Sequence, residues 1–590
     1  MLWAIGAVAL LLMGAAATEL IVAMRPAVAG ARLVHSTVRD LQALATTEAR
    51  AATGVELTGA LHQLDVAHGR ITRSRALWVR FVPGLRTQRQ GLLDLVADER
   101  VGAQGALRLL DNLDALAEGS ERQGGAVPVD RLAALGREAR SVAADVGGLV
   151  RTPDGLWGPV DSARRRLNRD AGSSATRLTD AADAIDAART FLGGDGERRY
   201  LVAIQNNAEM RNQGMVLSYA ALRVTAGRPV FERSGSIVDL ALSRPADTPI
   251  PAGTEEVFGF IRPTQLWQSV NATADFAWSG RAMADMYRQA TGEVVDGVIA
   301  IDVPGLAALL KVLGTVKASD IAEPLSAENL ARVVLHDLYQ GLSPADDALA
   351  RRGQLAEVTR AVVERLTGGA GDIVGLGSEL GKVAAGGHLR LWSRFAPEES
   401  VFERLGLGGG PAVIGADHTF HLAVENRTAT KLDYFVKPAV RQDIHLTPGG
   451  DAIVRTTVTI HNEAPESSAP SYQLGPDQFT SRPGEYIAWV LLWAPKGSEQ
   501  AGGIAESGLN LVDEVVTLRP GDKVEGTFET RIPNAVSGGR LRLRLVPQPR
   551  LVPMDLDVRI VEAGGWKVRD PTSWKGPWDR TVTLSWRLDR

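Results

Sequence analysis

The stretch RRYLVAIQNNAEMRNQGMVLSYAALRVTAG (198–227) decides how the chain is read. RYLVAIQ (199–205) is an apolar run of strand length, and MVLSYAALRVTAG (215–227) is a second. Between them lies a dense polar segment, Gln205 to Gln213. Two apolar runs flanking a polar, Gly-containing stretch predict paired strands with a turn between them. RPVFERSGSIVDL (228–240) adds a third strand. Downstream, ADFAWSGRAMADMYRQATG (274–292) carries helical spacing, and VDGVIAID (295–302) reads as a strand entering the helix VPGLAALLKVLGTV (303–316). SAENLARVVLHDLYQGL (326–342) and RRGQLAEVTRAVVERLTGG (351–369) read as further helices. Strands alternating with helices predict an α/β domain over 197–416.

Upstream, residues 25–196 are rich in Ala, Leu, Arg and Asp with apolar residues at helical spacing, which predicts a helical stalk or bundle. Met1–Thr18 carries no charged side chain, and LIVAM (20–24) extends it past Glu19. Such a run is long enough for a hydrocarbon core of ~30 Å, so residues 1–24 are expected to be a transmembrane anchor. The cleavable-leader alternative rests on Ala15–Ala17, but no basic segment precedes the apolar run. These features set the expectation of a single-pass cell-membrane protein with most of its chain extracytoplasmic.

Downstream, residues 417–590 alternate apolar and polar residues in short runs broken by Gly, Pro and Asn, such as DAIVRTTVTIHN (451–462) and MDLDVRIVEA (554–563). This predicts an antiparallel β-sandwich. The segment 564–590 holds four tryptophans, read as edge packing in preference to a sugar-stacking platform. The expected fold class is therefore multidomain α+β: anchor, helical stalk, central α/β domain and C-terminal sandwich.

Composition excludes several chemistries. The 590 residues include no cysteine, so thiol nucleophiles, disulfides and Cys-ligated metals are absent. A net charge of −4 argues against a nucleic-acid partner. Nine of the 65 basic residues are Lys, none before Lys311, which reads as codon bias first. His418 and His421 are three apart and point to opposite faces of a strand, so they do not form a metal pair. Gly406–Gly410 lacks the Lys and Ser/Thr of a phosphate loop and reads as a hinge.

Three blocks carry a family resemblance. RRYLVAIQNNAEMRNQGMVLSYAALRVTAG (198–227), DFAWSGRAMADMYRQATGEVVDGVIAIDVPGLAALLKVLGTV (275–316) and ENRTATKLDYFVKPAV (425–440) resemble, in order, blocks of the DUF4012 family of bacterial membrane-anchored proteins of unassigned activity. The family's paired glycines after the Arg stand here as Gly214-Met215. The order of strands and turns is also distantly similar to the LytR–CpsA–Psr domain, whose members transfer glycopolymers from a polyprenyl-pyrophosphate carrier. That resemblance implies cationic clamps on a pyrophosphate and acidic ligands on Mg²⁺. The ligand-binding candidates are Asn206, Asn207, Glu209, Arg211, Gln213, Arg351 and Arg352, and the weaker metal candidates are Asp239, Asp296 and Asp302. Each has a plainer reading: a polar turn for 205–213, a turn acid for Asp296, a helix N-cap for Asp302, and a solvated helix face for Arg351 and Arg352. Asn206-Asn207 and Ser236–Asp239 depart from the transferase pattern at its acidic and Arg-Asp positions. The expectation is therefore a binding or scaffolding role in envelope glycopolymer assembly. The alternatives are an Mg²⁺-dependent phosphotransferase and a surface adhesin.

Overall fold

Leu57, Ala60, Leu64, Ala67 and Ile71 are buried at alternating intervals of three and four residues, the spacing that keeps one helix face on a partner. In the computed structural model, which describes residues 46–73, 83–120, 126–152, 154–319, 321–342, 348–368, 373–411 and 418–590, that face belongs to α1 (Thr47–Arg73). It packs in a helical unit with α2 (Pro83–Ser120), α3 (Val129–Gly147) and α4 (Gly158–Phe191). Small residues let the helices approach closely. A Cβ on Gly105 of α2 would lie 2.7 Å from Val142 of α3. Inside this unit Arg164 meets Asp98 at 2.6 Å, both buried.

The chain divides into two compact units, Met1–Gly194 with Asp372–Ser378, and Asp195–Gly371 with Glu379–Arg590. The second unit begins with a five-stranded sheet. Its strands are β1 (Arg198–Met210), β2 (Gly214–Thr225), β3 (Arg228–Ser236), β4 (Gly297–Asp302) and β5 (Leu389–Ser393), in the order β3-β2-β1-β4-β5. Only β1 and β4 run parallel. The connection between them carries α5 (Ala252–Phe258) and α6 (Phe276–Thr291), and β4 leads straight into α7 (Val303–Leu313). Then come α8 (Leu330–Leu335), α9 (Ala348–Thr367), α10 (Ile373–Ala385) and α11 (Ala396–Leu405). Phe276, Met283, Met286 and Tyr287 of α6 pack on Leu201, Ala203, Val216 and Tyr219 of the sheet.

The remaining strands form two facing sheets. They are β6 (His418–Asn426), β7 (Val436–Leu446), β8 (Ala452–Asn462), β9 (Tyr486–Ala494), β10 (Ile504–Glu506), β11 (Leu509–Leu518), β12 (Lys523–Ile532), β13 (Arg540–Val546), β14 (Met554–Val561), β15 (Lys567–Val568), β16 (Ser573–Trp578) and β17 (Val582–Asp589). One sheet runs β10-β11-β9-β6-β13-β17-β15 and the other β12-β8-β7-β14-β16. Inward residues such as Leu422, Val440, Val458, Val490, Leu543 and Val558 fill the space between them. The other face of the larger sheet is also covered. Ala423, Trp489, Leu491 and Trp493 pack on Val257, Phe258, Ala272 and Ala274 of the α/β part. Strand β9 is thus buried on both faces, which explains its unbroken run YIAWVLLWA.

Two expectations about the fold are corrected. The sandwich is not purely antiparallel, because β6 pairs parallel with β13 and β7 with β14. Period-two alternation reports which face a residue occupies and carries no information on strand direction, so the sequence pattern could not reveal these pairings. The fold is therefore mixed α/β with three mixed sheets. Among the described residues no helix is long and apolar enough to cross a membrane, so the expected transmembrane helix and single-pass anchorage find no support. Residues 1–24, on which that expectation fell, lie outside the described residues. The four C-terminal tryptophans all pack on the sandwich core, Trp578 and Trp586 buried and Trp566 and Trp574 partly so.

Candidate functional site

Strand β1 does not end where its apolar run ends. It continues through the polar segment to Met210, with irregular register against β2 between Asn206 and Met210. The turn shrinks to Arg211–Gln213. Gly214 makes this possible, because a Cβ there would sit 2.9 Å from the Asn206 carbonyl. A strand of polar residues is stable only if each side chain finds a partner, and here the partners come from distant parts of the same unit.

Asn206 donates to the Tyr339 hydroxyl at 3.0 Å and accepts from the Ala208 amide at 2.8 Å. Asn207 donates to Asp302 at 2.8 Å and to the Pro549 carbonyl at 3.1 Å, and accepts from the Val303 amide. Glu209 forms a buried ion pair with Lys431 at 2.5 Å. The Lys431 ammonium also lies 5.0 Å from the Tyr339 ring centre and 5.6 Å from that of Tyr472. Burial alone would drive the proton off Lys431, but Glu209 more than offsets this and holds it above its ordinary value.

The turn is held the same way. The Met210 amide donates to Asp433, which also accepts from Arg550 and the Tyr486 hydroxyl, each at 2.9 Å. The Arg211 guanidinium donates to the Asn426 carbonyl, and the Arg211 carbonyl accepts from Gln548. Gln213 accepts from Gln205 and donates to the Gly387 carbonyl. Asn212 contacts His421 Nε2 at 2.8 Å, and His421 Nδ1 lies 2.9 Å from the Val546 carbonyl. A carbonyl only accepts, so Nδ1 carries the proton and Nε2 accepts from Asn212. Burial pushes His421 down to about 4, which keeps it neutral.

The acidic candidates do not meet. Asp302 caps α7, accepting from the Gly305 amide at 3.0 Å, and also accepts from Asn207 and His388. Asp239 accepts from the Ser236 amide at the start of a short 3₁₀ turn. Asp296 accepts from the Arg199 amide and lies 3.8 Å from Arg394. Among the described residues no group of three or more His, Asp or Glu side chains could hold a metal ion. Arg351 and Arg352 fall on α9, and their side chains lie outside the described residues.

The sequence reading singled out the polar segment but missed what it binds. Lys431 and Asp433 stand in the third resemblance block, KLDY (431–434), and Asp302 in the second, so the three blocks converge on one buried network. Pairing the one glutamate of the segment 205–213 with one of only nine lysines was the available clue.

Residues 195–339 match the family DUF4012, described as a protein of unknown function. The match spans β1 through Tyr339, and so includes Gln205–Gln213 and Asp302 but not Lys431 or Asp433. No curated protein and no solved structure matches the chain. The likeness to the LytR–CpsA–Psr domain is not shown by these findings.

Proposed function

We propose that this DUF4012-bearing chain is a binding scaffold for an envelope glycopolymer, in which the polar strand is a structural joint and the outer face of the sandwich meets the ligand. The observation that carries this reading is the engagement of Asn206, Asn207, Glu209 and Gln213 with protein groups at the seam between sheet and sandwich. Side chains so held do not reach a pyrophosphate. The outer face of the β12-β8-β7-β14-β16 sheet is polar and open. An open groove of about 670 Å³ there is bordered by Asp557, Arg559, Glu562, Thr572, Ser573 and Lys575. Asp557 and Arg559 form a two-pronged pair. Fixed donors and acceptors of both signs suit a polyhydroxylated chain, which offers many hydroxyls and little charge.

The test is a titration of the full chain with isolated bacterial wall glycopolymer and, separately, with a polyprenyl pyrophosphate with and without Mg²⁺. The expected result is saturable, Mg²⁺-independent glycopolymer binding that weakens in Arg559→Ala/Lys575→Ala. Glycopolymer transfer from the lipid carrier that Arg211→Ala abolishes, in a variant whose melting is unchanged, would overturn the scaffold reading in favour of the phosphotransferase. Absence of glycopolymer binding would overturn it as well.

A further inference from the structure

Glu425 lies near the end of β6, on the face turned toward the α/β part, opposite Trp489 of β9. It is 1% exposed, and neither carboxylate oxygen accepts a well-formed hydrogen bond, the Asn212 amide being the one backbone donor near it. Buried carboxylates normally accept two or more hydrogen bonds or meet a cation, so this one is out of the ordinary.

The charged groups around it come from four directions. From the β1–β2 turn comes Arg211, whose guanidinium is directed to the Asn426 carbonyl instead. From β10 comes Glu506, whose oxygens already accept from Thr254, Thr273 and the Trp493 indole. From the 3₁₀ turn Leu432–Tyr434 comes Asp433, neutralised by Arg550. Arg427, two residues on, lies over the rings of Phe260 and Trp489. Each nearby cation is thus engaged elsewhere, and two of the neighbours are themselves acids. The same seam holds Asp275, the N-cap of α6, whose carboxyl burial pushes up with Glu506 adding to the rise.

We infer that the seam between the α/β part and the sandwich is an acid-locked joint: Glu425 carries a proton while the joint is closed, and its ionisation loosens the contact of β6 and β9 with the α/β part. Burial holds the Glu425 carboxyl well above its ordinary value, with Arg211 and the Asn212 amide opposing this too weakly to reverse it. In a loosened joint the carboxyl is hydrated and ionises near its ordinary value. Closing therefore takes up a proton. The closed form is fully favoured below the ordinary carboxylate range. Above it, the closed-to-open ratio falls by up to about tenfold per pH unit until the closed-state value is reached. This device is independent of what the outer sandwich face binds.

The test is hydrogen exchange of the full chain between pH 5 and 8, corrected for the intrinsic rate, in wild type and Glu425→Gln. Gln is nearly isosteric and stays neutral. Protection of β6 and β9 should fall with rising pH in the wild type, up to about tenfold per unit, and fall less steeply in the variant. Identical pH dependence in the two proteins would overturn the inference. Should the variant not fold, the wild type alone decides. A fall confined to β6 and β9, with β7 and β8 unchanged, supports the joint, and flat protection in β6 and β9 overturns it.

Discussion

Replacing Lys431 by Met removes a charge while keeping most of the volume, and it strands Glu209. Both side chains are sealed, at 2% and 7% exposure, so solvent cannot take over the role of the ammonium. Breaking a buried ion pair from one side typically costs about 3–5 kcal/mol, because the remaining charge has no partner. The loss of cation–ring contact with Tyr339 and Tyr472 adds to this. Replacing both partners, as in Glu209→Leu with Lys431→Met, leaves no orphan and is expected to cost about 1–2 kcal/mol at most. Glu209→Leu alone strands Lys431 in the same way, so the two changes should couple by about 4 kcal/mol or more, above the usual range for contacting pairs. Urea unfolding of the full chain followed by tryptophan emission suits the measurement, since nine of the twelve tryptophans, all those from Trp267 onward, lie in the second unit. A single Lys431→Met variant losing less than about 1 kcal/mol, or a double variant that is merely additive, would refute the view that this pair is a sealed joint.

Three further outcomes are expected. Gly214→Ala places a Cβ 2.9 Å from the Asn206 backbone, so it should destabilise by about 1–3 kcal/mol in the same denaturation assay. His421 ionises near 6.5 when unfolded and is depressed to about 4 when folded. Its contribution is complete above 6.5 and is lost as pH falls toward 4, so the wild-type advantage over His421→Gln should shrink by about 2 kcal/mol between pH 6.5 and 5 in thermal melts. Trp578→Ala should cost about 3–5 kcal/mol in urea, because the ring fills the sandwich core and its indole donates to the Leu545 carbonyl.

The elements that were legible in the sequence are those whose neighbours are local or apolar. The run VPGLAALLKVLGTV reads as a helix and is one over Val303–Leu313, with Asp302 as its cap, because cap and apolar period are both written within a few residues. The segment 205–213 reads as a turn for an equally physical reason. Gln, Asn and Arg favour loops when water is the partner. What makes Gln205–Met210 strand instead is a set of groups more than 90 residues away: Asp302, Lys431, Asp433 and Pro549. No local pattern encodes them. The polarity of the segment was therefore informative about its importance and silent about its occupant. Strand direction in the sandwich was hidden for a different reason, since parallel and antiparallel neighbours impose the same alternation on β7 and β14.

The reach of Asn207 has a consequence for biosynthesis. Its side chain bonds the carbonyl of Pro549, 342 residues later. At about 5–20 residues per second, a ribosome takes roughly 20–70 seconds to supply that partner after Asn207 is made. Until then the polar end of β1 lacks its last partner, and the apolar patch of Val257 and Phe258 stays uncovered until Trp489 and Trp493 are made. The nascent chain is thus obliged to wait half-assembled, and a helper that shelters this edge during translation should raise the yield of the finished protein.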